Sequence, residues 1–359
     1  MQNVYRALAE RLNALPNGFP ATESGVELKI LAKMFTPEEA ALAAVMNLEA
    51  EPAADIAARA GVELNAARKT LKQMVRHGLI YAGRGEGELT YGLLPFIVGS
   101  YEAQLPRMDA EFAALFEQYF QESGRKLLQH APSVHRVIPI EQAIDVSLEV
   151  YPYERAVELI ENAQSWAVRD CICRVQQKLI GKGCDAPVNN CLSFAPLPGA
   201  FDHDPTARVI DKQEALQILQ QAAQAGLVHT AGNYRYGNHY ICNCCTCCCG
   251  VLRGVAELGM PTAIAHSDFY AQVDADTCIG CGNCISRCRF AALSMPASVS
   301  TVDVGRCVGC GLCVPVCPIG ALSLHRRSAE HPDTPENLME WMHIRAQNRG
   351  LTPLRRAPE

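Results

Sequence analysis

The first 170 residues contain no cysteine, and no stretch of the chain offers the ~20 uninterrupted apolar residues that would span a bilayer. The opening stretch, MQNVYRALAERLNALP, carries charges through an amphipathic helical pattern and lacks the apolar run used for export. A cytoplasmic setting is therefore expected. No GxGxxG follows a strand-like run, and neither a Walker A loop nor an HExxH occurs, which removes the commonest signatures of dinucleotide binding, nucleotide hydrolysis and zinc proteolysis. Charge of one sign is also scarce: a net −6 over 359 residues gives no general attraction to nucleic acid or anionic lipid.

What the chain does have is cysteine. All eighteen lie between Cys171 and Cys317. In a reducing compartment such crowding points to metal ligands and not to a disulfide frame. Residues 278–288 read CIGCGNCISRC and residues 307–318 read CVGCGLCVPVCP, two Cx2Cx2Cx3C blocks offset by 29 residues whose interiors also match. This doubled pattern resembles the bacterial two-cluster ferredoxin domain. The resemblance implies two [4Fe–4S] clusters in which the last cysteine of each block ligates the other cluster. One cluster would take Cys278, Cys281, Cys284 and Cys317, and the second Cys307, Cys310, Cys313 and Cys288. Gly280, Gly282, Gly309 and Gly311 would let the loops bend around the sulfurs. Ile279, Ile285, Phe290, Val308, Val314 and Ile319 would form a dry shell. Zinc knuckles are the alternative, though zinc has no use for an interleaved fourth ligand. Arg289 stands where the second block has Pro318, and two readings are open: a cation beside Cys288 that raises the potential of the second cluster, or a solvated side chain. Asp274, Asp276 and Asp303 balance Arg287, Arg289 and Arg306, so the domain does not resemble a freely diffusing acidic shuttle.

Ten cysteines remain. Cys171, Cys173, Cys184 and Cys191 form a CxC–x10–C–x6–C set, which suits a third four-thiolate site: iron–sulfur first, structural zinc second, unligated thiols third. Cys242, Cys244, Cys245, Cys247, Cys248 and Cys249 crowd into CNCCTCCC. Adjacent cysteines point in different directions, so one cubane could hardly hold all six. Three or four could bind a cluster, while the remainder complete the Cys171 site, bridge to an unusual multi-iron cluster or stay free. A soft-metal loop and a dithiol switch are the alternatives. The combination of DCICR and CNCC-x-CCC ahead of a two-cluster domain resembles iron–sulfur proteins of anaerobic prokaryotes, which implies redox work. His130, His135, His203, His229, His239 and His266 are candidate ligands or proton donors, set against the commoner role of a solvated or hydrogen-bonded histidine.

Upstream, helical patterns at 36–48, 52–61 and 65–78 precede two short strands around Gly83, Gly85 and Gly87. This resembles a winged helix-turn-helix. Its third helix has an inner stripe of Ala67, Leu71, Met74 and Val75, with Asn65, Arg68, Lys69, Lys72 and Arg76 outside. The expected fold class is α+β: a winged-helix domain over 1–124, a cysteine-rich mixed middle domain over 125–271, a ferredoxin-like domain over 272–326 and a charged tail over 327–359. Within the middle, Asp211 is expected to cap a helix from Lys212 with Glu214 as reciprocal partner, and Thr334 with Pro335 to open a helix in the tail.

Three functions compete. One is an electron-transfer protein, with two ferredoxin clusters and one or two further clusters relaying electrons to a redox partner or oxidoreductase complex, the winged-helix region serving for docking or homodimerisation. Another is a reductase working through the CNCCTCCC loop. The last is a redox-sensing regulator that grips DNA through Arg68, Lys69, Lys72 and Arg76, although nucleic acid is not the favoured partner.

Overall fold

The computed structural model describes residues 2–85, 87–145, 148, 150–202, 204, 206–327 and 334–351; His203 lies outside the described residues. The chain divides into two compact units. The first comprises Met1–His130, Val175–Gly181 and Met342–Glu359, and the second Ala131–Arg174 and Lys182–Trp341. The cysteine-rich middle and the dicluster segment thus belong to one unit.

In the first unit, helices Pro37–Ala43, Ala53–Ala60 and Leu64–Arg76 lead into strands Ile80–Arg84 and Leu89–Leu93, which pair antiparallel. The middle strand of this three-stranded sheet, Leu89–Leu93, also pairs with Glu51–Pro52. Thr36 and Glu39 cap the first of these helices reciprocally, and Gly61 ends the second in the left-handed region. Ala67, Leu71 and Met74 are buried, whereas Asn65, Arg68, Lys69, Lys72 and Arg76 are exposed. An aromatic core of Phe19, Phe96, Tyr101, Phe116 and Tyr119 includes a stacked Tyr101–Phe116 pair at 4.0 Å. The buried Arg345 donates to the carbonyls of Pro16, Leu127 and His130.

The second unit is built on a six-stranded antiparallel sheet, in the order His135–Ile138, Val228–Gly232, Tyr240–Cys244, Asn189–Ala195, Ser165–Asp170 and Arg208–Ile210. One face is apolar. Ile138, Val168, Leu192, Phe194, Ala231 and Ile241 pack there against Ile160 of helix Ala156–Glu161 and against Ala215, Ile218 and Leu219 of helix Lys212–Gln224. Asp211 caps the latter helix by accepting from the Glu214 N–H at 2.7 Å. The Glu214 carboxylate, expected to reach back to the cap, pairs instead with Arg208 at 2.7 Å. The tail helix runs Leu338–Asn348, three residues beyond the expected Pro335 opening.

Because strand side chains alternate between faces, the residues beside Leu192 and Ile241 point away from this core. Among them are Cys191 and Cys242, and Cys244, two residues on from Cys242, shares their face. The sheet therefore carries a hydrocarbon face and a thiol face.

His229 and Asn243 lie on neighbouring strands with Nδ1 and Oδ1 2.5 Å apart. Burial lowers the imidazole pKa to about 4. A folded-state value below the unfolded 6.5 means that the unfolded chain binds more protons in acid. Stability present above pH 6.5 should fall by up to about 3 kcal/mol as pH drops towards 4. Urea unfolding of wild type and His229→Gln across this range checks it: the variant should show a shallower pH slope, and equal slopes would refute the assignment.

Candidate metal centres

The dicluster segment is a two-fold repeat in backbone as well as in sequence. Asp274 Oδ1 accepts from the N–H groups of Asp276 and Thr277, and Asp303 Oδ1 from those of Gly305 and Arg306. The Cys278 and Cys307 N–H groups bond back to the Asp274 and Asp303 carbonyls at 3.0 Å in both halves. Gly280, Gly282, Gly309 and Gly311 all adopt φ between 68° and 77°. At Gly309 a Cβ would collide with the Phe269 carbonyl and the Ser267 hydroxyl, so this position requires glycine.

Two hollows follow from this repeat. Cys278, Cys281, Cys284 and Cys317 line one of about 320 Å³, together with Val273, Ile279, Ile319 and Leu322. Cys288, Cys307, Cys310 and Cys313 line the other, of about 370 Å³, with Phe290, Leu293, Val308 and Leu312. Each hollow gathers three thiols from one block and the last from the other. Four thiols around a hollow lined by apolar side chains fit a cluster with four cysteine ligands. Ile285 and Val314 line neither hollow. Peptide N–H groups also address the sulfurs: Ala292 donates to Cys288 at 3.3 Å, Ala321 to Cys317 at 3.2 Å and Ala271 to Cys307 at 3.5 Å. Such bonds stabilise negative charge on sulfur.

The two hollows differ in depth. Cys281 and Ile279 are exposed at the first, whereas Cys313, Val308 and Leu312 are buried at the second. Burial pushes the Cys310 thiol up to about 12 and Cys313 higher still, while backbone N–H groups of Ser300 and Gly280 hold Cys278 below its usual value. The second hollow also meets the middle region: the Ile140 N–H donates to the Cys310 carbonyl at 3.0 Å, and Arg287 donates to the Ala223 and Gln224 carbonyls, each at 2.7 Å. Arg289 is exposed.

The other ten cysteines sort themselves differently from their order in the chain. Six make a closed ring of side-chain contacts, running Cys171–Cys173–Cys249–Cys244–Cys242–Cys191 and back to Cys171. Cys191, Cys242 and Cys244 come from the thiol face of the sheet. Cys171 and Cys173 come from the start of helix Ile172–Leu179, and Cys249 caps helix Gly250–Ala256. Contacts with Cys173 and Cys191 hold the Cys171 thiol well below its usual range, and those with Cys173 and Cys244 do the same for Cys249. The remaining four, Cys184, Cys245, Cys247 and Cys248, form a separate group with all sulfurs within 4.8 Å of one another. Here contact with Cys248 lowers Cys245 to about 5, and burial raises Cys247 to about 12. Cys184 thus leaves the set that spacing grouped with Cys171, and the CNCCTCCC run divides between both groups.

Two other residues address the ring. Arg174 is fully buried and donates to the carbonyls of Pro187 and Asn243 at 3.0 and 2.6 Å and to Asn190 Oδ1 at 2.9 Å. Burial alone would lower its pKa, yet Cys171, Cys245, Cys244 and Cys191 raise it, so the guanidinium stays charged between the two groups. His135 is buried close enough to Cys249 for an electrostatic interaction, and both ring nitrogens lack a hydrogen-bond partner. An orphaned buried imidazole has the chemistry of a ligand or proton donor. Among the other candidate histidines, His229 is satisfied by Asn243, His239 is exposed edge-on to Tyr240, His266 is half-buried, and His130 belongs to the first unit. Arg174 was visible in DCICR, but nothing in the sequence marked it as buried.

Truncating one partner of a buried charge network costs about 3–5 kcal/mol. Arg174→Ala should lose that much in anaerobic urea unfolding, and Arg174→Lys should recover only part of it because an ammonium cannot reproduce the three-way fork. Unchanged stability in Arg174→Ala would show that the cation is dispensable.

Residues 271–324 match the family model described as a 4Fe-4S dicluster domain. No curated protein and no solved structure matches the chain. With the two cysteine-lined hollows, that match makes this an iron–sulfur protein carrying a C-terminal dicluster domain of ferredoxin type.

Proposed function

We propose that this protein relays single electrons between its surface and a polynuclear iron–sulfur centre held by the six-thiol ring. The observation that carries the reading is the graded burial of three thiol sites within one compact unit. Cys281 and Ile279 are exposed at the first hollow, Cys313 is buried at the second, and in the ring, on the thiol face of the sheet, Cys171, Cys244 and Cys249 are all buried. When bound, [4Fe–4S] clusters supply one-electron storage.

The chain's own residues do the rest. Peptide N–H groups of Ala271, Ala292 and Ala321 favour charge on their sulfurs, and Phe290, Leu293, Val308 and Leu312 exclude water from the second hollow. Arg287, bonded to the end of helix Lys212–Gln224, fixes that hollow against the middle region. The exposed rim around Cys281 suits docking by a redox partner protein. In the first unit, the element order and the exposed basic face of helix Leu64–Arg76 support a winged-helix scaffold for docking or dimerisation.

The crossed ligand sets give a sharp test. Cys288→Ser should abolish the cluster of the Cys307 block and spare that of its own block, and Cys317→Ser should do the reverse. Each variant should lose about four iron atoms per chain. Electron paramagnetic resonance after dithionite titration, with and without an added one-electron acceptor, reads both the surviving signal and the relay. Loss of each variant's own-block cluster would overturn the pairing, and a wild type that reduces but never passes electrons on would overturn the relay.

A second reading, a reductase acting at the ring, is favoured by the orphaned His135. It expects His135→Ala to change the spectrum of ring-bound iron while the dicluster signals persist. Identical spectra would remove this reading.

A further inference from the structure

The Cys184 group differs from the other thiol sites in its metric. Cys184 Sγ lies 3.7 Å from both Cys245 Sγ and Cys248 Sγ, and Cys247 Sγ lies 3.8 Å from Cys248 Sγ. All four sulfurs fall within 4.8 Å of one another. Thiolates bonded at about 2.3 Å to a single tetrahedral ion stand about 3.8 Å apart. A cubane attaches each thiolate to a different iron, so its sulfurs stand well beyond that separation. Among the described residues neither dicluster thiol set gathers within 4.8 Å in this way.

We propose that Cys184, Cys245, Cys247 and Cys248 bind one zinc ion as a closed structural site, distinct from the redox centres. A tetrahedral all-sulfur donor set selects zinc or iron. Closure by four protein ligands leaves no open coordination position, which is the form of a structural zinc site. The surroundings agree with that role. Cys245 and Cys248 pack against Ala222 and Leu227, and Cys184 and Ala186 pack against the same cluster. The site ties the segment after Gly181 to the turn at 245–248, whose two flanking cysteines, Cys244 and Cys249, belong to the six-thiol ring. Zinc here would hold the ring's ligands in place without exchanging electrons, and so keep redox changes out of the loop that supports them.

The test uses the full chain purified without air. Elemental analysis should find about one zinc per chain beside the iron, and X-ray absorption at the zinc edge should show four sulfur neighbours at about 2.3 Å. Cys247→Ser, which alters the one exposed thiol of the four, should lose the zinc and keep the dicluster signals. Zinc-free wild-type protein, zinc with nitrogen or oxygen neighbours, or a variant that loses iron and retains zinc would each overturn the proposal. The absorption measurement needs no variant, so a misfolded Cys247→Ser protein does not rescue it. Because iron is counted separately, a missing zinc leaves the relay standing, and missing iron leaves the zinc site standing.

Discussion

Ten thiols gathered in one unit, all but Cys247 wholly or partly buried, would as metal ligands pose a charge problem that the rest of the second unit answers. Metal-bound thiolates are anions, and burying several without compensation would cost far more than the apolar packing around them returns. Arg174 meets part of this demand. Its guanidinium is wholly buried, is held by Pro187, Asn190 and Asn243, and is coupled to thiols of both the ring and the four-sulfur group. The same hydrogen bonds pin the Asn243 backbone between Cys242 and Cys244. Charge compensation and ligand placement are therefore one structural device, and the strand Tyr240–Cys244 cannot shift without disturbing both.

The dicluster domain meets the same demand by another route. Besides Arg287 and Arg327, which interact electrostatically with Cys310 and Cys307, it uses peptide dipoles, repeated at an offset of 29 residues, from Ala292 to Cys288 and from Ala321 to Cys317. Left-handed glycines open the loops for this, most stringently at Gly309, where a side chain would meet the Phe269 carbonyl. At a site that changes charge by one electron such dipoles favour the more negative state and so bear on the potential. A buried guanidinium acts in the same sense with a full charge.

Much of this was legible in the sequence because the dicluster signal is a repeat: spacing, glycines and following residues all recur, and each recurrence maps onto a recurring backbone contact. The first-unit helices and hairpin were legible from helical patterns and the glycines between the strands, although the first helix, Pro37–Ala43, ends short of the expected residue 48. The sorting of the upstream thiols was harder. ICNC read as loop because cysteine dominates it, yet its alternation has the strand period, and Ile241 on the opposite face from Cys242 and Cys244 was the available sign. Cys184 sits between Cys173 and Cys191 in sequence, but Gly181 at φ 73° turns the chain so that it meets the 245–248 turn. His135 carried no local signal at all. Only strand pairing, which joins residues a hundred apart, puts it near Cys249.

The adjacency of cysteines in CNCCTCCC now has a physical reading. A strand sends Cys242 and Cys244 to one face, and the chain then leaves the sheet in a turn before Cys249 caps a helix. Neighbours within that turn diverge, so Cys245, Cys247 and Cys248 face Cys184 while the residues on either side face the ring. Two sites can share one short segment only if backbone geometry changes between their ligands, from strand to turn to helix. That change is what separates four sulfurs at single-ion spacing from the six of the ring, and under the proposed zinc site and relay it would let one loop hold a rigid anchor next to a centre that carries charge.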